Sequence, residues 1–365
     1  MSRSILVTGG LGFIGSHLCR HLAELGPEDA ITVVDDLSGT RLDVSGVASR
    51  ARVRLADLRG LDPGSERHDE IYHLASPVGS LGILARHGRI ALDILALADA
   101  VAGLAARGAP GGGPTRLLYL SSSEVYGRDG RHGESVELVV PDRRGSRMEY
   151  ALGKLGAEHA LANASDDGGF ELRTVRPFNV VGPWQSDALG FVVPTFLDAA
   201  LAGEPLRVFG DGRQRRSFCD VSDLVRGLVA VQRTGRAGEV YNVGHPDNVT
   251  TIGALAERVL RATGSASRIE HVDPVAVHGP RYLEAFDKIP SIDKVAADTG
   301  WRPALGLDRI LGRLAAFHAR PGRAALADAS IARLRDGLGA DGTTVVSGRG
   351  EPPAARPRRT ASALP

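Results

Sequence analysis

The chain has 365 residues, 43% of them hydrophobic, and a formal net charge of +1. That is enough apolar material for one large domain or two intimate ones, and the near-neutral charge offers no footprint for nucleic acid. The N-terminus runs almost at once into an apolar strand, with no charged leader, cleavage site or membrane-length stretch before it. A cytoplasmic protein with no membrane partner is therefore expected. Cys19 and Cys219 each stand alone, which gives neither a disulfide framework nor a zinc pattern. They read as buried reduced thiols, and no metal site is expected. Of the 44 Lys plus Arg, Lys154, Lys288 and Lys294 are the lysines, so a lysine at a motif position carries weight.

Taken in chain order, short apolar strands are predicted at residues 4–8, 30–35, 52–56, 70–74, 116–121 and 171–176. Helices are predicted to begin near Gly12, Gly82 and Ser146, the last covering residues 147–164. Strands alternating with helices imply βαβ units. The fold class is therefore α/β, a Rossmann-like doubly wound parallel sheet over residues 1–180. Beyond Pro177 the elements shorten and Gly and Pro interrupt them, with helices predicted at 192–202, 221–231, 252–262 and 307–317. Residues 181–320 are expected to form a smaller C-terminal substrate-binding lobe, with some segments returning to the sheet. The pattern is lost after about Arg320, and 339–365, rich in Gly, Pro, Arg, Ser and Thr, reads as a disordered tail.

Two stretches carry chemistry. Val7-Thr8-Gly9-Gly10-Leu11-Gly12-Phe13-Ile14-Gly15 follows a strand and opens a helix. Glycines at 9, 12 and 15 permit a tight turn, close backbone approach to a pyrophosphate and close helix–strand packing. Asp35, at the end of the next strand, stands where a ribose-binding carboxylate belongs. A carboxylate there pairs with a free 2′-hydroxyl and repels a 2′-phosphate, which favours NAD over NADP. Arg41 nearby softens that preference. Asp57-Leu58, after the third strand, suits either the adenine edge or a helix cap.

The second stretch is Tyr150-Ala151-Leu152-Gly153-Lys154. Its spacing puts the phenol and the ammonium on one helical face. A tyrosine working as a base near neutral pH needs a neighbouring cation, because its ordinary pKa is near ~10. Ser121-Ser122-Ser123 follows a buried strand; serines there could cap a turn, yet the carboxyl edge of a parallel sheet is where ligands bind.

The glycine turn, Ser121-Ser122-Ser123-Glu124-Val125-Tyr126-Gly127, the Tyr150/Lys154 pair, Arg176-Pro177-Phe178-Asn179 and Gly210-Asp211-Gly212-Arg213-Gln214-Arg215-Arg216 come in a familiar order. Together they resemble the extended short-chain dehydrogenases, which include nucleotide-sugar epimerases, 4,6-dehydratases and UDP-glucuronate decarboxylases. The resemblance covers roughly residues 4–320. It implies Ser122 as the catalytic hydroxyl, Tyr150 as base, Lys154 as its partner and Glu124 as a further catalytic group. It implies cofactor contacts from Phe13, Ile14, Leu74 and Ala75 besides the residues above. Ser123, Asn179, Arg216 and Arg281 become the expected substrate contacts, and a homodimer through the helices near 84–107 and 147–164 is implied as well.

Ser122-Ser123-Glu124 is most similar to the Thr-Ser-Glu of the decarboxylases; the dehydratases carry an aspartate where Ser123 stands. Phe191, in Gly190-Phe191-Val192-Val193, stands where the decarboxylases carry an arginine, and this stretch is closer to the epimerases. Arg147, Arg281 and Arg128 are the candidates for the displaced cation. Decarboxylation of UDP-glucuronate to UDP-xylose or the 4-keto pentose is thus expected, with a UDP-hexose or UDP-hexuronate 4-epimerase as the alternative. A non-catalytic NAD-binding scaffold is disfavoured, because such proteins lose the Tyr/Lys pair and this chain keeps it.

Overall fold

A computed structural model describes residues 2–40, 42–61, 66–140, 142, 144–279, 287–339 and 342–343. Arg41, Arg281 and nearly all of the expected disordered tail lie outside the described residues. The first strands are β1 (Ser4–Thr8), β2 (Ala30–Asp35), β3 (Arg52–Leu55), β4 (Glu70–His73), β5 (Thr115–Leu120), β6 (Gly130–His132) and β7 (Phe170–Pro177). They are followed by β8 (Val180–Val181), β9 (Leu206–Phe209), β10 (Arg215–Ser217), β11 (Cys219–Asp220), β12 (Val240–Val243), β13 (Val249–Thr251), β14 (Ile269–Val272) and β15 (Lys288–Pro290). The earlier helices are α1 (Phe13–Leu25), α2 (Ser45–Ala48), α3 (Ser80–Ala85), α4 (Ile90–Ala105), α5 (Ser146–Asp166) and α6 (Val192–Ala202). The later ones are α7 (Val221–Thr234), α8 (Ile252–Thr263), α9 (Pro274–His278), α10 (Asp293–Thr299), α11 (Leu307–His318) and α12 (Arg323–Asp336).

Seven strands form the central sheet in the order β3-β2-β1-β4-β5-β7-β12, every neighbouring pair parallel. Because helices cover both faces, the inner strands are buried along their length rather than on alternate residues, and all four residues of β4 are buried, Glu70 and His73 included. On one face α1 and α7 pack Leu18, Leu22, Leu224 and Leu228 against Val7 and Val33. On the other, α4 and α5 pack Ile94, Val101 and Leu161 against Ile71 and Leu117. A separate core formed by α6, α8, α11 and β9 gathers Leu197, Leu255, Leu311 and Val208.

The strand order reverses at β1, which places a crevice at the carboxyl ends of β1 and β4. Gly9, Asp35, Leu74 and Ser121 all follow or end strands on that edge. A second sheet, β13-β10-β15-β6, brings the later half of the chain to the same side, since β6 comes just after the Ser121–Gly127 stretch. Past α12, the backbone turns to the outer edge of the large sheet. There Leu55 N–H donates to Gly342 O at 3.1 Å and Thr343 bridges Arg54.

Two expectations are corrected. The helix predicted to start near Gly82 is two helices, α3 and α4, broken at Gly88 with φ +82°. The Gly88 N–H is satisfied across the break by Glu149 Oε2 at 2.7 Å. The pattern also does not end near Arg320, because α12 follows. Its buried residues are Ala327, Ser330 and Leu334, a stripe too small and too polar to register as hydrophobic periodicity. Ser330 Oγ accepts from Val44 N–H at 3.1 Å, fixing α12 over the segment that follows β2. No helix among the described residues is long and apolar enough to cross a membrane. Cys19 and Cys219 are free and buried, as expected.

Candidate active site

The glycine turn closes tightly against the end of β4. Gly9 has φ +72°, and a Cβ on it would come within 2.8 Å of the Ala75 nitrogen; one on Gly15 would come within 2.1 Å of Gly9 O. Leu74 N–H donates to Thr8 O at 3.1 Å, so Gly9, Leu74 and Ala75 form one continuous backbone wall. Gly12 caps α1 without a side chain, and the first-turn N–H groups at Phe13, Ile14 and Gly15 have no intrahelical acceptor. The side chains of Phe13 and Ile14 pack against the core and hold that helix end in place.

Asp35 is buried. One carboxylate oxygen accepts from Leu11 N–H at 2.9 Å and the other from Leu37 N–H at 2.8 Å. Burial pushes its carboxyl up to about 6, against the pull of those two amides. The oxygen facing Leu37 also accepts a longer bond from the Thr40 hydroxyl at 3.5 Å, while the one facing Leu11 keeps acceptor capacity beyond that single bond. A side-chain-free turn, a helix N-terminus and a carboxylate at the end of β2 fit a dinucleotide, with pyrophosphate on the turn and ribose at Asp35. Asp57 caps the 3-10 turn Leu58–Gly60, accepting from Arg59 N–H at 2.9 Å and pairing with the Arg59 guanidinium at 2.6 Å. Leu58 is buried in the core, leaving its backbone for contacts at that edge.

The catalytic half is built on α5. Tyr150, Lys154 and Glu158 recur at four-residue spacing, and all three are buried. Glu158 receives Arg176 of β7 through two bonds, Nε to Oε1 at 3.0 Å and Nη2 to Oε2 at 2.6 Å, and the Ser121 hydroxyl also donates to it. Lys154 Nζ donates to Leu120 O at 2.8 Å and lies 6.0 Å from the centre of the Tyr150 ring. Burial lowers its ammonium to about 7, with Glu158 opposing. Gly153 lets α4 approach, since a Cβ there would meet Ala91 Cα at 2.8 Å.

Burial pushes the Tyr150 phenol up. The Ser122 hydroxyl opposes that as a hydrogen-bond partner, Glu124 reinforces it, and Arg147 opposes it. Ser122 also accepts from Glu124 N–H at 3.2 Å, capping the 3-10 turn Ser123–Tyr126. Ser123, the first residue of that turn, is buried. Two cations meet one oxygen of the Glu124 carboxylate, Oε1: Arg147 Nη1 at 2.9 Å and Lys288 Nζ at 2.5 Å. Burial alone would raise its pKa, but Lys288 and then Arg147 outweigh it and hold the carboxyl at about 2. Glu124 is therefore ionised throughout the neutral range and has no proton to give.

Of the substrate residues expected from sequence, Arg216 joins this group, acting electrostatically on both Glu124 and Lys288. Asn179 is tied to the same strand as Arg216, its amide donating to Ser217 O at 3.0 Å. Among the candidates for the displaced cation, Arg147 lies at Glu124, Arg128 is exposed, and Arg281 lies outside the described residues. Phe191 begins α6 as its half-buried N-cap. Sequence reasoning missed two residues, Lys288 and Glu158. Glu158 could have been found from the four-residue repeat that already linked Tyr150 and Lys154, and Lys288 from the scarcity of lysine.

Residues 5–244 match the NAD dependent epimerase/dehydratase family. The chain belongs to that family. NAD is accordingly its cofactor. The chain is 33% identical over 322 residues to UDP-glucuronic acid decarboxylase 1 from Xenopus tropicalis, covering 85% of this chain and 71% of that one. It is 29% identical over 308 residues to a UDP-N-acetyl-alpha-D-glucosaminuronate decarboxylase from Bacillus cytotoxicus, covering 81% of this chain and 91% of the relative. Its fold is similar to that of a dTDP-glucose 4,6-dehydratase from Streptomyces venezuelae solved with NAD and TYD. That match has a TM-score of 0.73 at 27% identity, over 87% of this chain and 98% of the other.

Within this family frame, Asp35→Ala removes the acceptor at the end of β2 and lowers affinity for NAD more than for NADP, read by titration of the two cofactors. A variant that loses both equally would refute the ribose assignment. Tyr150→Phe keeps the ring but not the hydroxyl. Turnover of nucleotide sugar should fall by about 10²–10⁴ while nucleotide binding persists, measured by steady-state rates alongside calorimetry.

Proposed function

We propose that this chain oxidises C4 of UDP-glucuronate and releases carbon dioxide, forming the UDP-4-keto pentose and UDP-xylose. The observation that carries the reading is Glu124, held ionised between Arg147 and Lys288 two residues from Ser122. Arg147, Lys288 and Arg216 together outnumber the carboxylates Glu124 and Asp287 that face them, and a cluster with that surplus positive charge suits a sugar that brings its own carboxylate. The named decarboxylases at 29–33% identity support the same substrate class.

Tyr150 takes the proton from the C4 hydroxyl while Ser122 hydrogen-bonds the same oxygen. Bound NAD supplies the hydride acceptor and donor at C4. With C4 a ketone, the C5 carboxylate is that of a β-keto acid and leaves as carbon dioxide. Arg147, anchored at 3.0 Å on Ser80 as well as on Glu124, supplies a fixed positive charge beside the start of α6, since a Cβ on Gly190 would come within 3.5 Å of Ser80 Cβ, while Phe191 itself carries none. Incubation with UDP-glucuronate should give a product lighter by one carbon dioxide, read by mass spectrometry with nicotinamide absorbance. A product of unchanged mass and inverted C4 would give the case to the 4-epimerase reading that Phe191 favours.

The assembly we infer is a homodimer. Side by side, α4 and α5 expose Leu92, Leu95 and Leu152, with Leu92 61% accessible, and pairing two copies there buries them in a four-helix bundle. Light scattering at micromolar concentration should give twice the chain mass, and Leu92→Glu with Leu152→Glu should halve it.

A further inference from the structure

The loop that leaves Asp35 depends on the far end of the chain. Leu37 N–H and, more loosely, the Thr40 hydroxyl donate to Asp35 Oδ1 at 2.8 and 3.5 Å, which ties the carboxylate to the course of residues 37–40. Leu37 holds φ +61°, a left-handed backbone that a leucine keeps only where its surroundings enforce it. The chain then runs through Leu42 and Val44, both out of solvent, into α2. Arg20 of α1 fastens it from one direction, Nη2 donating to Asp43 O at 3.1 Å. A second hold comes from α12, which lies beyond the residues that match the family.

α12 and the residues after it grip the surroundings of Asp35 at two points. The first is the Ser330 hydroxyl, which accepts from Val44 N–H at 3.1 Å and donates to Ala327 O of its own helix at 2.8 Å. Val44 is fully buried, so removing that oxygen strands a donor in the interior. Leu334, one turn on, shares a core with Leu42, Val44 and Val47. The second point is Gly342, whose carbonyl accepts from Leu55 N–H at 3.1 Å. Leu55 is the register partner of Asp35 across the β2–β3 pair, and the next amide, Ala56 N–H, donates to Asp35 O at 3.0 Å. One C-terminal stretch thus fixes both the loop after Asp35 and the strand beside it.

We propose that the stretch from α12 to Thr343 is a clasp on the adenosine end of the cofactor site, with Ser330 as the positioning residue that sets how long NAD stays bound. The inference rests on the assignment of Asp35 to the cofactor ribose and adds the element that keeps that carboxylate in place. Tyr150 and Lys154 stand on the β5 and β7 side of the sheet, across β1 and β4 from the clasp. The clasp therefore acts on cofactor affinity and not on the reacting groups. Forming UDP-xylose needs the hydride taken from C4 to be returned there, so the cofactor has to outlast the ketone. A loop held from two directions supplies that retention.

The test uses the full chain. Ser330→Ala removes the acceptor for Val44, and Leu334→Ala loosens the same contact through packing. Release of NAD is followed from the loaded protein, NAD, ADP-ribose and UDP are titrated by calorimetry, and hydrogen exchange is read at the Val44 amide. Both variants should weaken NAD and ADP-ribose alike by about 5–30-fold, with faster release, as expected for one lost buried bond or contact. UDP affinity and exchange along α5 should stay at the wild-type level while the Val44 amide exchanges faster. A wild-type ADP-ribose affinity in Ser330→Ala, or an equal loss of UDP, overturns the clasp. Asp35→Ala, measured beside them, separates the two claims. If it leaves ADP-ribose affinity intact, the ribose assignment falls and this inference with it. If it weakens ADP-ribose while Ser330→Ala does not, the clasp alone is overturned.

Discussion

The Glu158–Arg176 ion pair sets the position of everything in the catalytic half. Both side chains are nearly out of solvent, and two charges are carried into a low-dielectric interior only when their geometry is close to complete. Removing either partner would leave an uncompensated buried charge, at roughly 3–5 kcal/mol. The pair joins α5 to β7, and the Ser121 hydroxyl donating to the same carboxylate adds the end of β5. Lys154 and Tyr150 lie one and two turns before Glu158 on the same helix, so their location relative to the sheet edge follows from it. Ala91 packed over Gly153 closes the other side of α5 and leaves it no freedom to slide.

A second charge pair joins the two halves of the chain. Glu124 leaves the carboxyl edge of the large sheet, whereas Lys288 arrives on β15, paired with β6 and β10 in the small one. An ion pair between them makes the site conditional on the later residues being seated. The depressed Glu124 carboxyl converts the arrangement into pH-dependent stability. Its pKa is lower folded than unfolded, so the contribution is present above about pH 4.5 and is lost as pH falls toward about 2.

Much of this could be read from the sequence, for definite reasons. The glycine turn, Asp35 and the Tyr150/Lys154 spacing depend on local geometry, which short stretches of sequence specify. β1 and β2 are largely buried and stand out as apolar runs. The misses have physical causes as well. Gly88 breaks a helix because Glu149, far along the chain, satisfies its amide. The buried stripe of α12 is made of Ala327, Ser330 and Leu334, which differ little from a polar linker. Lys288 lies in a segment with no motif, and its role arises only from a parallel pairing with β6 that no local pattern announces.

The bridge from Thr343 to Arg54 has a consequence for how the protein is made. β3 is the outermost strand of the large sheet, and an uncovered edge strand is a template for pairing with other chains. The residues that cover it are separated from it by most of the chain. A ribosome adding about 5–20 residues per second therefore leaves that edge open for on the order of tens of seconds after β3 has emerged. Each nascent copy passes through an interval in which its nucleotide-binding half can fold while its margin is unguarded. Crowded polysomes are the setting in which that exposure matters.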